Sequence, residues 1–258
     1  MEPVPTSFHV GPLVFHTYGF GLAIAAYVAY LYARHRLVKA GISVTPFGKF
    51  TAVIIVAGLV GARLAHVATN WSYYQSNPSQ VFSLWHGGLA SFGGIALALP
   101  FGLWAKKHWW PDVRLLAFTD ALVPALVAGW ALGRVLGPQF MVNGGGHATH
   151  QWFGLRYAGQ VGKRVPVPLI QALEDGALWL VLLRMERSTR VEQAPGTVTG
   201  VALVVWGLVR ALDEHLLLGQ ESGSGSVGVQ IAGLAMALGG LVILVSVARK
   251  LQKAELIH

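Results

Sequence analysis

No cysteine occurs among the 258 residues, which excludes a disulfide framework, a thiolate metal site and a cysteine nucleophile supplied by this chain. Charge is scarce too. Asp, Glu, Lys and Arg make up 12% of the residues, about half of the ~25% found in soluble globular domains. That deficit excludes a chain solvated by water over its whole surface. Acids are the scarcer sign, with 11 Asp and Glu against 19 Lys and Arg.

What fills the space is apolar: 54% of the residues are hydrophobic and the mean hydropathy is +0.54. Seven apolar stretches recur, at 15–33, 50–68, 88–105, 115–133, 168–183, 196–212 and 228–248. A helix of ~20 residues rising ~1.5 Å per residue crosses ~30 Å of hydrocarbon. The sequence therefore predicts one all-α domain over residues 1–258, a polytopic membrane helix bundle of about seven spans. Glu2, Pro3 and Pro5 stand where a cleavable leader would carry Lys or Arg, so the first run reads as a retained helix.

The formal charge of +8 points to a membrane and not to nucleic acid because of where it lies. The connections at 34–49, 106–114 and 184–190, with the tail from Arg249, hold 13 of the 19 basic residues. They alternate across the spans, so the positive-inside rule makes them cytoplasmic, with the N-terminus outside and the C-terminus inside. Two longer connections fall outside: 70–86, aromatic and uncharged, and 138–167, an external cap with His147, His150, Arg156, Lys163 and Arg164. The tryptophans at span boundaries, including Trp71, Trp85, Trp109 and Trp110, read as an interfacial belt.

Glycine is frequent, with 32 residues. Gly129, Gly133 and Gly137 at four-residue spacing read as close helix packing in lipid. Gly87, Gly88, Gly93 and Gly94 read equally as packing or as backbone facing a ligand. Asp120, near the cytoplasmic end of the fourth span, reads as a capping or structural group.

Three basic residues remain within or at the ends of spans: Arg63, Arg134 and Arg210. A charge at that depth costs a few kcal/mol unless it is paired, snorkels or serves a function. Counted along their helices, all three come to one level in the outer half of the membrane, where Glu174, Asp175, His16, Tyr18 and His66 also lie. Glu214, four residues after Arg210, shares its helix face. Guanidinium groups bind phosphate through paired hydrogen bonds, and at that depth the natural ligand is a phospholipid headgroup.

In this order the motifs resemble those of the prolipoprotein diacylglyceryl transferases of bacterial membranes, over about residues 15–243. The resemblance lies in His16-Thr17-Tyr18-Gly19, Gly61-Ala62-Arg63-Leu64, the run Trp85 through Gly94, Asp120 through Pro124, Gly133-Arg134, Asn143, and Arg210 with Glu214. The chain departs from the family pattern at Phe92, where a histidine is frequent, after Asn143, where Gly144-Gly145-Gly146 follows, and at 165–171.

The resemblance implies transfer of diacylglycerol from phosphatidylglycerol, or a similar anionic phospholipid, to the lipobox cysteine thiol of a prolipoprotein in the bacterial inner membrane. No cofactor or metal is implied. Arg134, Arg210, Tyr18 and His16 become catalytic candidates, with the base open among His16, Tyr18 and His147. Arg63, Gly87, Gly88, Gly93, Gly94, Asn143 and Glu214 become substrate-binding candidates. A non-catalytic lipid- or lipoprotein-binding relative is the alternative. A transporter would spread polar groups through the depth of the membrane, whereas this chain gathers them at one level.

Overall fold

The computed structural model describes residues 5–10, 13–82, 90–192, 194–216 and 224–255. The chain begins with two short antiparallel strands, β1 (Ser7–Val10) and β2 (Leu13–His16), in register Ser7 to His16. Helix α1 (Thr17–Lys39) follows directly, its first amide donating to the Thr6 carbonyl at 3.1 Å. Apart from this ribbon of β-branched and aromatic residues the described elements are helical, as the all-α expectation has it, and His16 closes a strand where the first span was expected to have begun.

The helices that follow are α2 (Phe47–Thr69), the short α3 (Trp71–Ser76), α4 (Ser91–Trp109), α5 (Leu115–Leu136), α6 (Val167–Met185), the single turn α7 (Thr189–Glu192), α8 (Thr197–Leu216) and α9 (Ser224–Glu255). The seven apolar stretches fall on α1, α2, α4, α5, α6, α8 and α9, the third beginning outside the described residues. Among the described residues, Phe47–Thr69, Leu115–Phe140 and Val227–Lys253 are long and apolar enough to cross a membrane. Ile231, Leu234, Leu238, Leu241, Val242 and Val245 of α9 are exposed, a surface suited to lipid and not to water.

The fold divides into two compact units, Leu37–Leu115 and the combination of Met1–Arg36 with Leu116–His258. In the smaller, α2 and α4 meet through glycine. A Cβ on Gly61 would overlap the Gly93 carbonyl, one on Gly93 would overlap Gly61, and Gly94 lies over the Gly58 carbonyl. Gly93 and Gly94 therefore serve helix contact; Gly87 and Gly88 lie outside the described residues. Trp110 is buried against Phe50 with its indole N–H on the Ser43 carbonyl at 2.7 Å. It is not part of an exposed belt, because a partner within the protein fills the need that the interface would have met.

The larger unit is built on Val127, Leu178, Leu182, Val198 and Ala202, the buried seam of α5, α6 and α8. Gly129 and Gly133 of α5 and Gly137 just beyond it face Ala29, Ala25 and Leu22 of α1, as their spacing predicts. Helices α8 and α9 approach through Gly200 and Gly207 against Gly240 and Gly233.

At the end of this unit where α5 begins, a polar latch ties four elements. Pro124 has no N–H, so the Asp120 carbonyl loses its helical partner. Arg36, buried at the end of α1, donates Nε to the Ala121 carbonyl at 2.7 Å and Nη2 to the Asp120 carbonyl at 3.5 Å, and pairs with Glu186. The Asp120 carboxylate accepts the Gly196 amide at 2.6 Å, the Thr199 amide at 2.8 Å and the Thr199 hydroxyl. It thereby satisfies the free amides that open α8, the capping role expected of it.

Candidate active site

The α5–α6–α8 seam fixes the level of the charged groups. Arg134 lies seven residues beyond Val127 on α5 and Arg210 eight beyond Ala202 on α8, each ~10–12 Å along its helix. Helix α6 runs the other way, so Asp175 and Glu174 lie three and four residues before Leu178, toward the same end. Antiparallel packing around one core thus gathers residues 35 to 76 positions apart in sequence.

Arg134 is within electrostatic reach of Arg210, Asp175, Asp213 and the Tyr18 phenol. Arg210 pairs with Asp213 one turn on, Nη1 to Oδ2 at 3.5 Å. Asp213 is buried and also accepts a hydrogen bond from the buried Gln171 amide at 2.9 Å. Glu214, four residues after Arg210, is buried too; positions i+3 and i+4 both neighbour i on a helix, which places both acids on the Arg210 side of α8.

The donors are left incomplete. Arg134 Nε and Arg210 Nη1 are buried and have no hydrogen-bond partner among the described residues; Glu174 Oε2 is likewise unpartnered. A buried guanidinium N–H without an acceptor costs a few kcal/mol, so two of them on facing helices describe a place prepared for an anion.

Each arginine also follows a tryptophan by four residues. The Arg134 guanidinium lies 5.5 Å from the centre of the Trp130 ring, and Trp130 meets Trp206 edge to face at 5.4 Å. The sequence reading gave these tryptophans no chemistry. The signal that could have found them was the repeated Trp-x-x-x-Arg spacing, since i and i+4 share a helix face.

Beside this polar cluster an apolar groove of about 530 Å³ opens between α5 and α6, lined by Ala128, Leu132, Val135, Leu169, Leu173 and Trp179 among others. Its lining follows i, i+3, i+4, i+7 along both helices, so small residues of α5 face the wider side chains of α6.

The remaining candidates have different settings. Tyr18 opens α1 and is partly exposed, and His16 is exposed at the end of β2. Asn143 turns the chain at φ 58°, a left-handed conformation that Asn tolerates, with its amide on the Ala158 carbonyl. Arg63, in the smaller unit, is buried; it donates Nε to the Val81 carbonyl at 2.8 Å and Nη2 to that of Gln80, with the Tyr74 ring 5.3 Å away. These bonds hold residues 78–82 against α2.

The prolipoprotein diacylglyceryl transferase family model matches residues 5–246. The chain belongs to that family. It is 30% identical to the phosphatidylglycerol–prolipoprotein diacylglyceryl transferase of Geobacter sulfurreducens over 258 residues, 95% of this chain and 96% of that protein. The enzyme of the same name from Thermus thermophilus is 35% identical over 127 residues, 49% of this chain and 44% of its own length. That from Staphylococcus aureus is 29% identical over 130 residues, 50% and 46%. The last two matches span about half of each protein, and the Geobacter match is end to end.

Proposed function

We propose that this transferase moves the diacylglyceryl group of phosphatidylglycerol onto the lipobox cysteine thiol of a prolipoprotein, and that Arg134 and Arg210 act on the phosphate. The observation that carries the reading is the pair of buried guanidinium nitrogens that make no hydrogen bond, Arg134 Nε and Arg210 Nη1, the second 3.5 Å from Asp213 Oδ2. The thiolate sulfur bonds to the glycerol carbon that bears the phosphate, the carbon–oxygen bond breaks, and its electron pair leaves on the phosphate oxygen as glycerol phosphate. The thiol proton passes to a base. Charge grows on the leaving phosphate in the transition state, where donors already aimed at it are most effective.

The α5–α6 groove beside Arg134 and Asp175 suits an acyl chain, which lets the apolar tails remain in hydrocarbon while the headgroup meets the arginines. Tyr18, within electrostatic reach of Arg134, is one candidate base; His16 and His147 are the others. Arg63, Gly87, Gly88, Gly93, Gly94, Asn143 and Glu214 are further candidates for substrate contact or for support of the site. In this reading all seven long helices span the bacterial inner membrane, with the N-terminus outside, the C-terminus inside and residues 138–167 external.

The deciding assay uses purified protein, phosphatidylglycerol labelled in its acyl chains, and a lipobox peptide, with the thioether product identified by mass spectrometry. Product is expected from the native protein and not after Arg134→Ala or Arg210→Ala. Absence of product with the native protein, or undiminished product from either variant, overturns the assignment.

A further inference from the structure

Residues 138–167 carry Arg156, Lys163 and Arg164 and no acidic residue at all. They are also folded. Tyr157 is buried with its hydroxyl on Gln139 Oε1 at 2.8 Å, and Gln160 exchanges two hydrogen bonds with Gly145, at 2.9 and 3.0 Å. Backbone pairs from Gly146 to Val165, Thr149 to Lys163 and Leu155 to Arg164 tie the segment together.

Against that order, the apolar side chains at its turns point away from it. Trp152 and Val161 are each 88% exposed, and Met141, Val142 and Phe153 are exposed as well. A segment able to bury Tyr157 completely leaves an indole and four other apolar groups in the open, where each loses the transfer energy that burial would return.

The cations are interleaved with these turns. Gly154, two residues from Trp152, lies against the Lys163 side chain, and Arg164 pairs its backbone with Leu155. Lys163 and Arg164 therefore sit, half-buried, between the Trp152 turn and the Val161 turn, Arg164 donating Nε to the Val161 carbonyl at 3.3 Å, and Arg156 is exposed. The segment starts at the end of the apolar span Leu115–Phe140, so a headgroup layer is within a few residues of Met141.

We propose that this face docks on a surface of anionic phospholipid, with Trp152 and Val161 inserted at headgroup level and Arg156, Lys163 and Arg164 on the phosphates. Aromatic and apolar tips flanked by cations, with no acid to repel the surface, are the chemistry such a layer recognises. The inference rests on the fold of this segment and not on the catalytic role of Arg134 and Arg210.

The absence of native cysteine allows a clean test. Trp152→Cys and Val161→Cys are each labelled with a polarity-sensitive dye and reconstituted in nanodiscs of phosphatidylcholine alone or mixed with phosphatidylserine, an anionic lipid that is not the proposed donor. The dyes are expected to shift to the blue, and to be quenched by headgroup-level lipid quenchers, only in the anionic discs. The shift should reverse at 1 M salt, where the Debye length falls to ~3 Å. Arg156→Gln with Lys163→Gln should lower the docked-to-undocked ratio by roughly thirtyfold, about a factor of five for each cation. Dyes that remain in water in both discs overturn the proposal. So does a blue shift that is equal in neutral discs or that requires added lipobox peptide, which would make the surface a peptide site.

Discussion

The rings of Trp130 and Trp206 meet edge to face, with centroids 5.4 Å apart and planes at 85°, each one helical turn before an arginine whose buried donors lack partners. The two indoles link α5 to α8 directly beneath the level where Arg134 and Arg210 face the same space. One guanidinium lies over an indole of this pair, so the spacing of the arginines is set by aromatic contact as well as by the helices.

Trp130 should therefore act through Arg134. A cation over an indole face gains ~0.5–2 kcal/mol, so Trp130→Leu should lower the transfer rate by roughly 2–30-fold, while Trp130→Phe, which keeps an aromatic face, should retain most of it. In an Arg134→Lys background the same Trp130→Leu change should add little. Initial rates of thioether formation in the four proteins check this, and full additivity of the two losses would place Trp130 outside the arginine's action.

The Asp120 latch should be a stability device alone. Asp120→Ala removes three acceptor contacts at the start of α8 and should cost about 1–2 kcal/mol, read as a lower midpoint of thermal unfolding in detergent. The affinity for donor lipid should stay unchanged at a temperature where both proteins are folded. A large rise in KM there would connect the latch to the site.

How far the sequence could be read depends on the kind of signal. Apolar runs of about 20 residues need no partner to be recognised, and each of the seven falls on a long helix. Glycine at four-residue spacing near the end of α5 was also legible, since the spacing is a property of one helix; Asp120 could be read as a capping group, but not that the amides it accepts open a different helix, α8. What escaped were choices settled by rotation about a helix axis. Asp213, at i+3 from Arg210, is held by Gln171 of α6, a contact between helices that no single-helix pattern shows. Trp110 carries the composition of an interfacial belt, yet the nearby Ser43 carbonyl takes its N–H. The hairpin at 7–16 is too short for its pattern to stand out against the apolar run it adjoins.

The order of residues 138–167 was hidden for a similar reason, because it depends on one buried ring. Burial pushes the Tyr157 phenol up to about 12, partly opposed by the hydrogen bond to Gln139. The neutral form is thus favoured in the fold, and its stabilisation is complete below the ordinary value of about 10 and disappears as pH rises through 12. Proteolysis within residues 149–162 should stay slow to about pH 10 and accelerate above it. Tyr157→Phe, which cannot ionise, should remove that acceleration while costing about 1 kcal/mol for the lost hydrogen bond. An unchanged pH dependence in Tyr157→Phe would assign the transition to another group.

Orientation is tested by single cysteines, clean in this chain. Positions 39, 107 and 187, all exposed, should react with a membrane-impermeant thiol reagent only from the cytoplasmic side, and positions 76 and 150 only from outside, as the distribution of basic loops requires. Labelling of position 150 from inside alone would invert the topology and place the arginine site in the opposite leaflet.

The arginine pair gives the sharpest test, because stability and chemistry can be separated on one residue. Arg134→Lys and Arg210→Lys keep the charge but lose the planar fork that engages two phosphate oxygens, so each should lower turnover by about a hundredfold or more. If the arginines act on charge that develops as the phosphate leaves, KM should change little. Arg210 also faces Asp213 at 3.5 Å, and a purely structural ion pair would make a different prediction. Removing Asp213 alone as Asp213→Leu leaves a buried guanidinium without its carboxylate and should destabilise by ~3–5 kcal/mol, whereas Arg210→Met with Asp213→Leu should recover much of that loss. The cycle is read twice, by thermal unfolding in detergent and by rate of thioether formation. A double variant that regains stability and remains inactive fits an arginine whose charge is used on the substrate. A double variant that regains both would reduce Arg210 to a packing element, and the phosphate assignment would then rest on Arg134 alone.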